Sequence, residues 1–193
     1  MMVINLLKFS NFKNNINGVI SVIGASEISK DIREKTVEIG RLIAKNNYAI
    51  ACGGLSGVME AVCKGAKEEG GFTIGIVPSI KKTEANKYID LVIPCPFSQA
   101  RNIVVVLTGD IVLAISGKAG TLSEISFAWI YQKPIVALTE VDGWSSIIAN
   151  QKLDDRRSDM IHGVKTPQEA INKINELILK SGEIKDLDFI NKF

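Results

Sequence analysis

From Val19 onward, short apolar runs rich in Val and Ile alternate with longer stretches whose apolar positions recur at helical spacing. That alternation is the mark of a parallel sheet covered by helices on both faces. Predicted strands lie at 18–24 (GVISVIG), 48–52 (YAIAC), 72–77 (FTIGIV), 91–93 (LVI), 110–115 (DIVLAI) and 134–138 (PIVAL), most of them bounded by Gly, Pro or Asp. Between them, Ile32, Thr36, Ile39 and Ile43 form one helical stripe, and Val58, Ala61, Val62, Gly65 and Ala66 form another; both belong to the core. The last helix announces its start with TPQE: Thr166 as N-cap, Pro167 in the first turn and Glu169 completing a capping box. Its packing face is Ala170, Ile171, Ile174, Leu177 and Ile178. No repeat, low-complexity tract or dividing linker interrupts the pattern. The expectation is therefore a single doubly wound, Rossmann-like α/β domain with a mainly parallel sheet over residues 18–180. An N-terminal arm (1–17) precedes it and a C-terminal tail (181–193) follows.

Composition narrows the partners. The 23 basic and 21 acidic residues of the 193-residue chain leave a net charge of +2, which gives no general attraction for a nucleic-acid polymer or an acidic membrane surface. A small anion needs no such excess. Cys52, Cys63 and Cys95 are an odd number without CxxC or Cys/His metal spacing, so the reading is reduced thiols, a cytoplasmic protein and no metal site. The apolar start MMVINLL is followed at once by Lys8 and then by asparagines, the pattern of neither a signal segment nor a membrane span.

In a doubly wound sheet, ligands bind beyond the carboxyl ends of the strands, where strand order reverses. Three loops there carry candidate chemistry. CGGLSGVMEAV (52–62) leaves a strand through Gly53 and Gly54 and enters a helix near Gly57 and Met59. Glycines allow close backbone approach to a phosphate at a helix start, although a plain tight turn reads the same way. SGKAGTLSE (116–124) repeats the design: Gly117 and Gly120 permit the turn, and Thr121 can cap the helix, with Glu124 one turn inside. Thr121 to Glu124 is equally a T-x-x-E capping box, which would use the carboxylate only to satisfy a backbone donor. In PFSQARNIVVVL (96–107), Arg101 sits near a helix start, where it is solvated, compensated by a carboxylate or directed outward at an anionic ligand. The lone histidine, His162, and the adjoining Asp154–Arg157 cluster read as structural features.

The order Gly-Gly-x-x-Gly-x-Met, Arg, Gly-Thr-x-x-Glu over residues 18 to about 179 resembles the LOG-like (SLOG) superfamily. That group contains cytokinin-activating phosphoribohydrolases, proteins once labelled lysine decarboxylases, and molybdenum-cofactor carriers; the ending LDDRRSDMIHGVKTPQEAI is most similar to the carrier-like branch. The resemblance implies phosphate or nucleotide binding at Gly53, Gly54, Gly57, Met59, Gly117, Gly120 and Thr121, with Arg101 and Glu124 as catalytic residues; Gly24, at the end of the first strand, and Lys118, which either adds a phosphate contact or fills space a substrate needs, are counted with the binding residues. Where those enzymes read Pro-Gly-Gly, this chain has Ser116, Gly117 and Lys118, and their Arg-Lys pair is Arg101-Asn102 here.

Two functions follow from the resemblance. One is hydrolysis of the N-glycosidic bond of a nucleoside 5′-monophosphate, with Glu124 stabilising the positively charged ribose. The other is non-catalytic carriage of a nucleotide or a molybdopterin-type ligand. Neither requires a further cofactor, and both imply a homodimer or larger homo-oligomer. Lysine decarboxylation would need a Schiff-base lysine with an acidic partner for the cofactor ring, an arrangement the sequence does not contain.

Overall fold

β1 (Gly18–Gly24) and β2 (Tyr48–Cys52) occupy their predicted residues. β3 (Thr73–Val77), β4 (Leu91–Pro94), β5 (Ile111–Ile115) and β6 (Ile135–Leu138) each fall within one residue of expectation. The computed structural model describes residues 16–190, with side chains as far as residue 180, so most of the expected N-terminal arm lies outside the described residues. A seventh strand, β7 (His162–Val164), was not foreseen and pairs parallel with β6 through Ala137 and Gly163. It is three residues long and only Val164 is buried, so no period of alternation existed to detect. His162 thereby becomes a half-buried sheet-edge residue, its imidazole pKa lowered first by burial.

All neighbouring strands pair in parallel, in the order β4-β3-β2-β1-β5-β6-β7. The order runs outward from β1 on one side and from β5 on the other. The reversal therefore falls between these two strands, which are in register from Ile20 opposite Ile111 to Gly24 opposite Ile115. A crevice opens at their carboxyl ends because the chain leaves β1 and β5 toward opposite faces.

Those faces are covered by α1 (Lys30–Lys45), α2 (Val58–Glu68) and α6 (Pro167–Ile190) on one side. On the other lie α3 (Asn102–Thr108), α4 (Ala119–Ile130) and α5 (Trp144–Ile148). β5 shows the division: Ile111, Leu113 and Ile115 join the first core, and Val112 and Ala114 the second. Both faces are dry, so the strand reads as an unbroken apolar run. At α6, Thr166 Oγ1 accepts from the Glu169 N–H at 3.1 Å, as its capping role predicts. The Glu169 carboxylate reaches one residue further back than expected, to the Lys165 N–H at 2.7 Å.

α1 and α2 cross with their backbones in contact. A Cβ on Gly65 would lie 1.9 Å from the Val37 carbonyl oxygen, and one on Gly40 would lie 2.1 Å from that of Val62. Replacing Gly65 by alanine gains about 1 kcal/mol of helix propensity but must drive the helices apart. A net loss of about 1–3 kcal/mol is expected, measured as a lower urea midpoint at unchanged slope. A variant as stable as the parent would refute the close crossing.

Candidate functional site

The loops following β1, β2 and β5 meet the turn before α3 around a cleft of about 260 Å³ at the β1/β5 reversal. From β1 come Gly24, Ala25, Ser26 and Glu27, and from the β2–α2 connection Gly53, Leu55 and Met59. The turn before α3 supplies Gln99, Arg101 and Asn102, and the start of α4 supplies Lys118, Gly120, Thr121 and Glu124.

Arg101 ends a 3-10 turn (Ser98–Arg101) that feeds α3, and it is not a solvated surface residue: it is 8% exposed. Its Nη1 donates to the Ile76 carbonyl at 3.0 Å. The guanidinium lies against Gly53, where a Cβ would come within 2.2 Å of Nη1 and 2.8 Å of Nη2. Gly53 is therefore required by the arginine. Burial lowers the arginine pKa and nearby Glu124 opposes that shift.

Glu124 lies in the second turn of α4 and is 8% exposed. Among the described residues no hydrogen bond reaches its carboxyl, although no fully occluded polar side-chain atom lacks a partner. The carboxyl group thus keeps its open contact with the cleft it lines. Burial raises its pKa from the ordinary 4.5 to about 7, with the Arg101 charge pulling the other way.

The capping-box alternative for Thr121 and Glu124 is corrected by the structure. α4 begins at Ala119 with Lys118 as N-cap, so Thr121 and Glu124 stand inside the helix and cap nothing. Thr121 instead packs its side chain on Gly117, where a Cβ would lie 2.4 Å from Thr121 Cβ. Lys118 makes no side-chain cap bond, which leaves the first-turn amides of α4 without a side-chain acceptor. A Cβ at Gly120 would meet only Gln99 Oε1, at 3.8 Å. Packing does not call for glycine here, and its absence of side chain keeps the helix start open to the cleft.

Gly54, Gly57 and Gly117 stand behind the lining, where Gly54 packs on β3, Gly57 on the Ala25–Ser26 backbone and Gly117 on Thr121. Ser116 has φ +59°, a value closed to proline, whose ring locks φ near about −65°. The serine that replaces the enzymes' proline thus goes with a different backbone. α5 holds that backbone: the Ser116 N–H donates to Ser145 Oγ at 2.7 Å, and the Trp144 N–H donates to the Gly117 carbonyl at 3.0 Å.

Sequence reasoning missed the supports. Asn86 Nδ2 donates to the Gly54 and Leu55 carbonyls at 3.2 and 2.9 Å, fixing the glycine turn. Asn102, 3% exposed, donates through Nδ2 to Ser123 Oγ at 2.9 Å and to the Gly120 carbonyl at 3.4 Å. The Ala25–Glu27 loop was also unassigned; its place directly after the first strand was the available signal. The Asp154–Arg157 cluster lies outside the cleft lining and is a local brace: Trp129 Nε1 donates to Asp154 at 2.7 Å, and Arg157 covers the Trp129 ring at 4.6 Å. Among the described residues, the three cysteines are free and buried, and no group of three or more His, Cys, Asp or Glu is placed to hold a metal ion. No helix among them is long and apolar enough to cross a membrane.

Comparison with known proteins gives a consistent picture. Residues 17–171 match the model of the SLOG cluster4 family. The cytokinin riboside 5′-monophosphate phosphoribohydrolase of Mycobacterium tuberculosis is 29% identical over 129 residues, which cover 62% of this chain and 67% of that protein. Among solved structures, TM1055 aligns with a TM-score of 0.77 at 32% identity, covering 82% of this chain and 98% of that one. The molybdenum cofactor binding protein of Rippkaea orientalis aligns with a TM-score of 0.73 at 30% identity, covering 83% and 96%.

The raised pKa of Glu124 has a stability consequence. A folded value of about 7 against an ordinary 4.5 means that the proton stabilises the fold fully below pH 4.5. That stabilisation is lost as pH rises through 7, and in full it amounts to about 3 kcal/mol. Glu124→Gln, a permanent stand-in for the protonated acid, is therefore expected to be more stable than the parent at pH 8 and equal to it at pH 4.5. Thermal unfolding of both proteins across that range checks this, and a pH-independent difference would contradict it.

Proposed function

The chain belongs to the SLOG cluster4 family, and from that premise we propose that its cleft binds a small phosphate-bearing ligand of nucleotide or molybdopterin type. With a nucleoside 5′-monophosphate, the proposed reaction is hydrolysis of the N-glycosidic bond to free base and ribose 5-phosphate. The observation that carries the reading is the buried Arg101 beside a buried Glu124 that has no hydrogen bond and opens on the cleft. Fold stability alone gives no reason to keep such a carboxyl.

The start of α4 supports the phosphate end, with first-turn amides left uncapped and the cation of Lys118 at the same rim. Glu124 supports the other half of the chemistry. As the bond to the base breaks, positive charge develops on the ribose ring, and an ionised carboxylate in a low-dielectric cleft stabilises it. The same group can take a proton from the attacking water, for which a pKa of about 7 is well matched. Arg101 stays cationic beside it and meets the anionic side of the ligand.

A non-catalytic carrier is the second reading. It is favoured by the positive φ at Ser116, which separates this loop from the Pro-Gly-Gly form, and by the likeness to a molybdenum cofactor binding protein. In either case we take residues 18–180 as the binding domain and the cytoplasm, where buried free thiols persist, as its compartment. A homo-oligomer is supported by the apolar outer surface of α3 and the end of α4, where Val104, Leu107, Ile130 and Tyr131 are exposed.

Incubation with the common nucleoside 5′-monophosphates is expected to yield free base and ribose 5-phosphate, and Glu124→Ala to lower the rate by about a hundredfold or more while ligands still bind. Ligand-induced thermal stabilisation with no base released would select the carrier. No stabilisation by any phosphate-bearing ligand would overturn both readings. Gly53→Ala, which must displace the Arg101 guanidinium, is expected to weaken nucleotide binding by about tenfold or more, measured by calorimetry.

A further inference from the structure

Asn102 is a polar side chain with one half committed and one half free. Its Nδ2 donates to Ser123 Oγ and to the Gly120 carbonyl. The Ser123 hydroxyl spends its own hydrogen on the Gly120 carbonyl at 2.7 Å, so both groups facing Asn102 are acceptors. Turning the amide over would set Oδ1 against those two oxygens. The network therefore fixes the orientation, with Nδ2 toward α4 and Oδ1 away from it.

That Oδ1 accepts no hydrogen bond from any described residue. The residue is 3% exposed, yet no fully occluded side-chain oxygen or nitrogen among the described residues is left without a partner. The oxygen therefore retains contact with open space, and the space that Asn102 lines is the cleft. A buried acceptor of this kind discriminates among ligands, because one that offers no donor leaves it desolvated and unpaired. A lysine at this position would present donors alone.

We infer that Asn102 is a specificity-determining residue whose Oδ1 accepts a hydrogen bond from a hydroxyl or amino group of the bound ligand. With Glu124, it makes one wall of the cleft an acceptor wall, opposite in character to the anion-binding start of α4. The ligand class is thereby narrowed to phosphate monoesters that carry a hydrogen-bond donor near the phosphate-bearing end, as ribose hydroxyls do. This inference rests on the phosphate-ligand reading above.

Calorimetric titration with AMP, its 2′-deoxy and 3′-deoxy analogues and inorganic phosphate tests it, in the parent and in Asn102→Leu. The parent is expected to bind AMP about three- to tenfold more tightly than one of the deoxy analogues. In Asn102→Leu that ratio falls to near one. A merely structural asparagine would weaken AMP, both analogues and phosphate alike and leave the ratios intact, which would overturn the assignment. Asn102→Ala takes the place of the leucine variant if that protein fails to fold, because the readout is a ratio within one protein. Equal binding of AMP and both analogues by the parent removes the inference alone. If neither AMP nor phosphate binds, the phosphate-ligand reading falls and the inference falls with it.

Discussion

The guanidinium of Arg101, held against the bare Cα of Gly53 in the cleft it shares with Glu124, is the constraint around which the cleft is organised. Taking two such groups out of water costs several kcal/mol per ion in proteins of this kind. Mutual attraction and the bond from Nη1 to the Ile76 carbonyl recover part of that cost. The part not recovered is visible in Glu124, whose carboxyl is pushed up to about 7 by burial despite the neighbouring cation. An apolar pair of similar volume would serve the fold better. What the charged pair provides is a carboxyl and a cation already stripped of water and pointed at a shared space, before any ligand arrives.

Holding that pair demands a rigid surround, and the sheet supplies it. β1, β2 and β5 are buried on both faces, and their parallel register brings their carboxyl ends to one rim. The loops leaving that rim are then fixed by neutral polar groups. Asn86 secures the glycine turn, Ser145 the backbone of Ser116, and Asn102 the start of α4. Each of these side chains donates or accepts at its task without adding charge, so the field inside the cleft is left to Glu27, Arg101, Lys118, Glu124 and the helix terminus.

The layers were readable in the sequence because burial on both faces forces unbroken apolar strands and helices with one apolar stripe. β5 and the α1–α2 crossing show this, down to Gly65 in its predicted core position. β7 was unreadable because an edge strand of three residues, two of them half-buried, carries no pattern. The site was readable as a set of loops but not as an arrangement. A capping box is a local rule, and TLSE satisfies its letters; the helix starts earlier, after a turn whose Ser116 is held by Ser145, about thirty residues away. Likewise nothing near Arg101 in the sequence says that it is buried, since the groups that make burial tolerable are Gly53, Ile76 and Glu124, all contributed by other elements.

The hydrolase and carrier readings share the half of this cleft proposed to meet phosphate, so the difference between them lies in the carboxyl half. A carrier of an anionic ligand has no use for an ionised Glu124, and the ligand's own charge would favour its protonated form. A hydrolase passing through a positively charged ribose needs the ionised form at the moment of bond breaking, next to a cation that keeps that form accessible. Arg101 draws the Glu124 pKa down from where burial alone would put it, leaving both forms populated near neutrality. The turn at Ser116, with its positive φ, shapes the loop before α4, whereas it leaves this pair intact. On the proposed reading, shape and charge thus speak to separate questions: Ser116 and Lys118 bear on which ligand is seated, and Arg101 with Glu124 on whether a seated nucleotide can react.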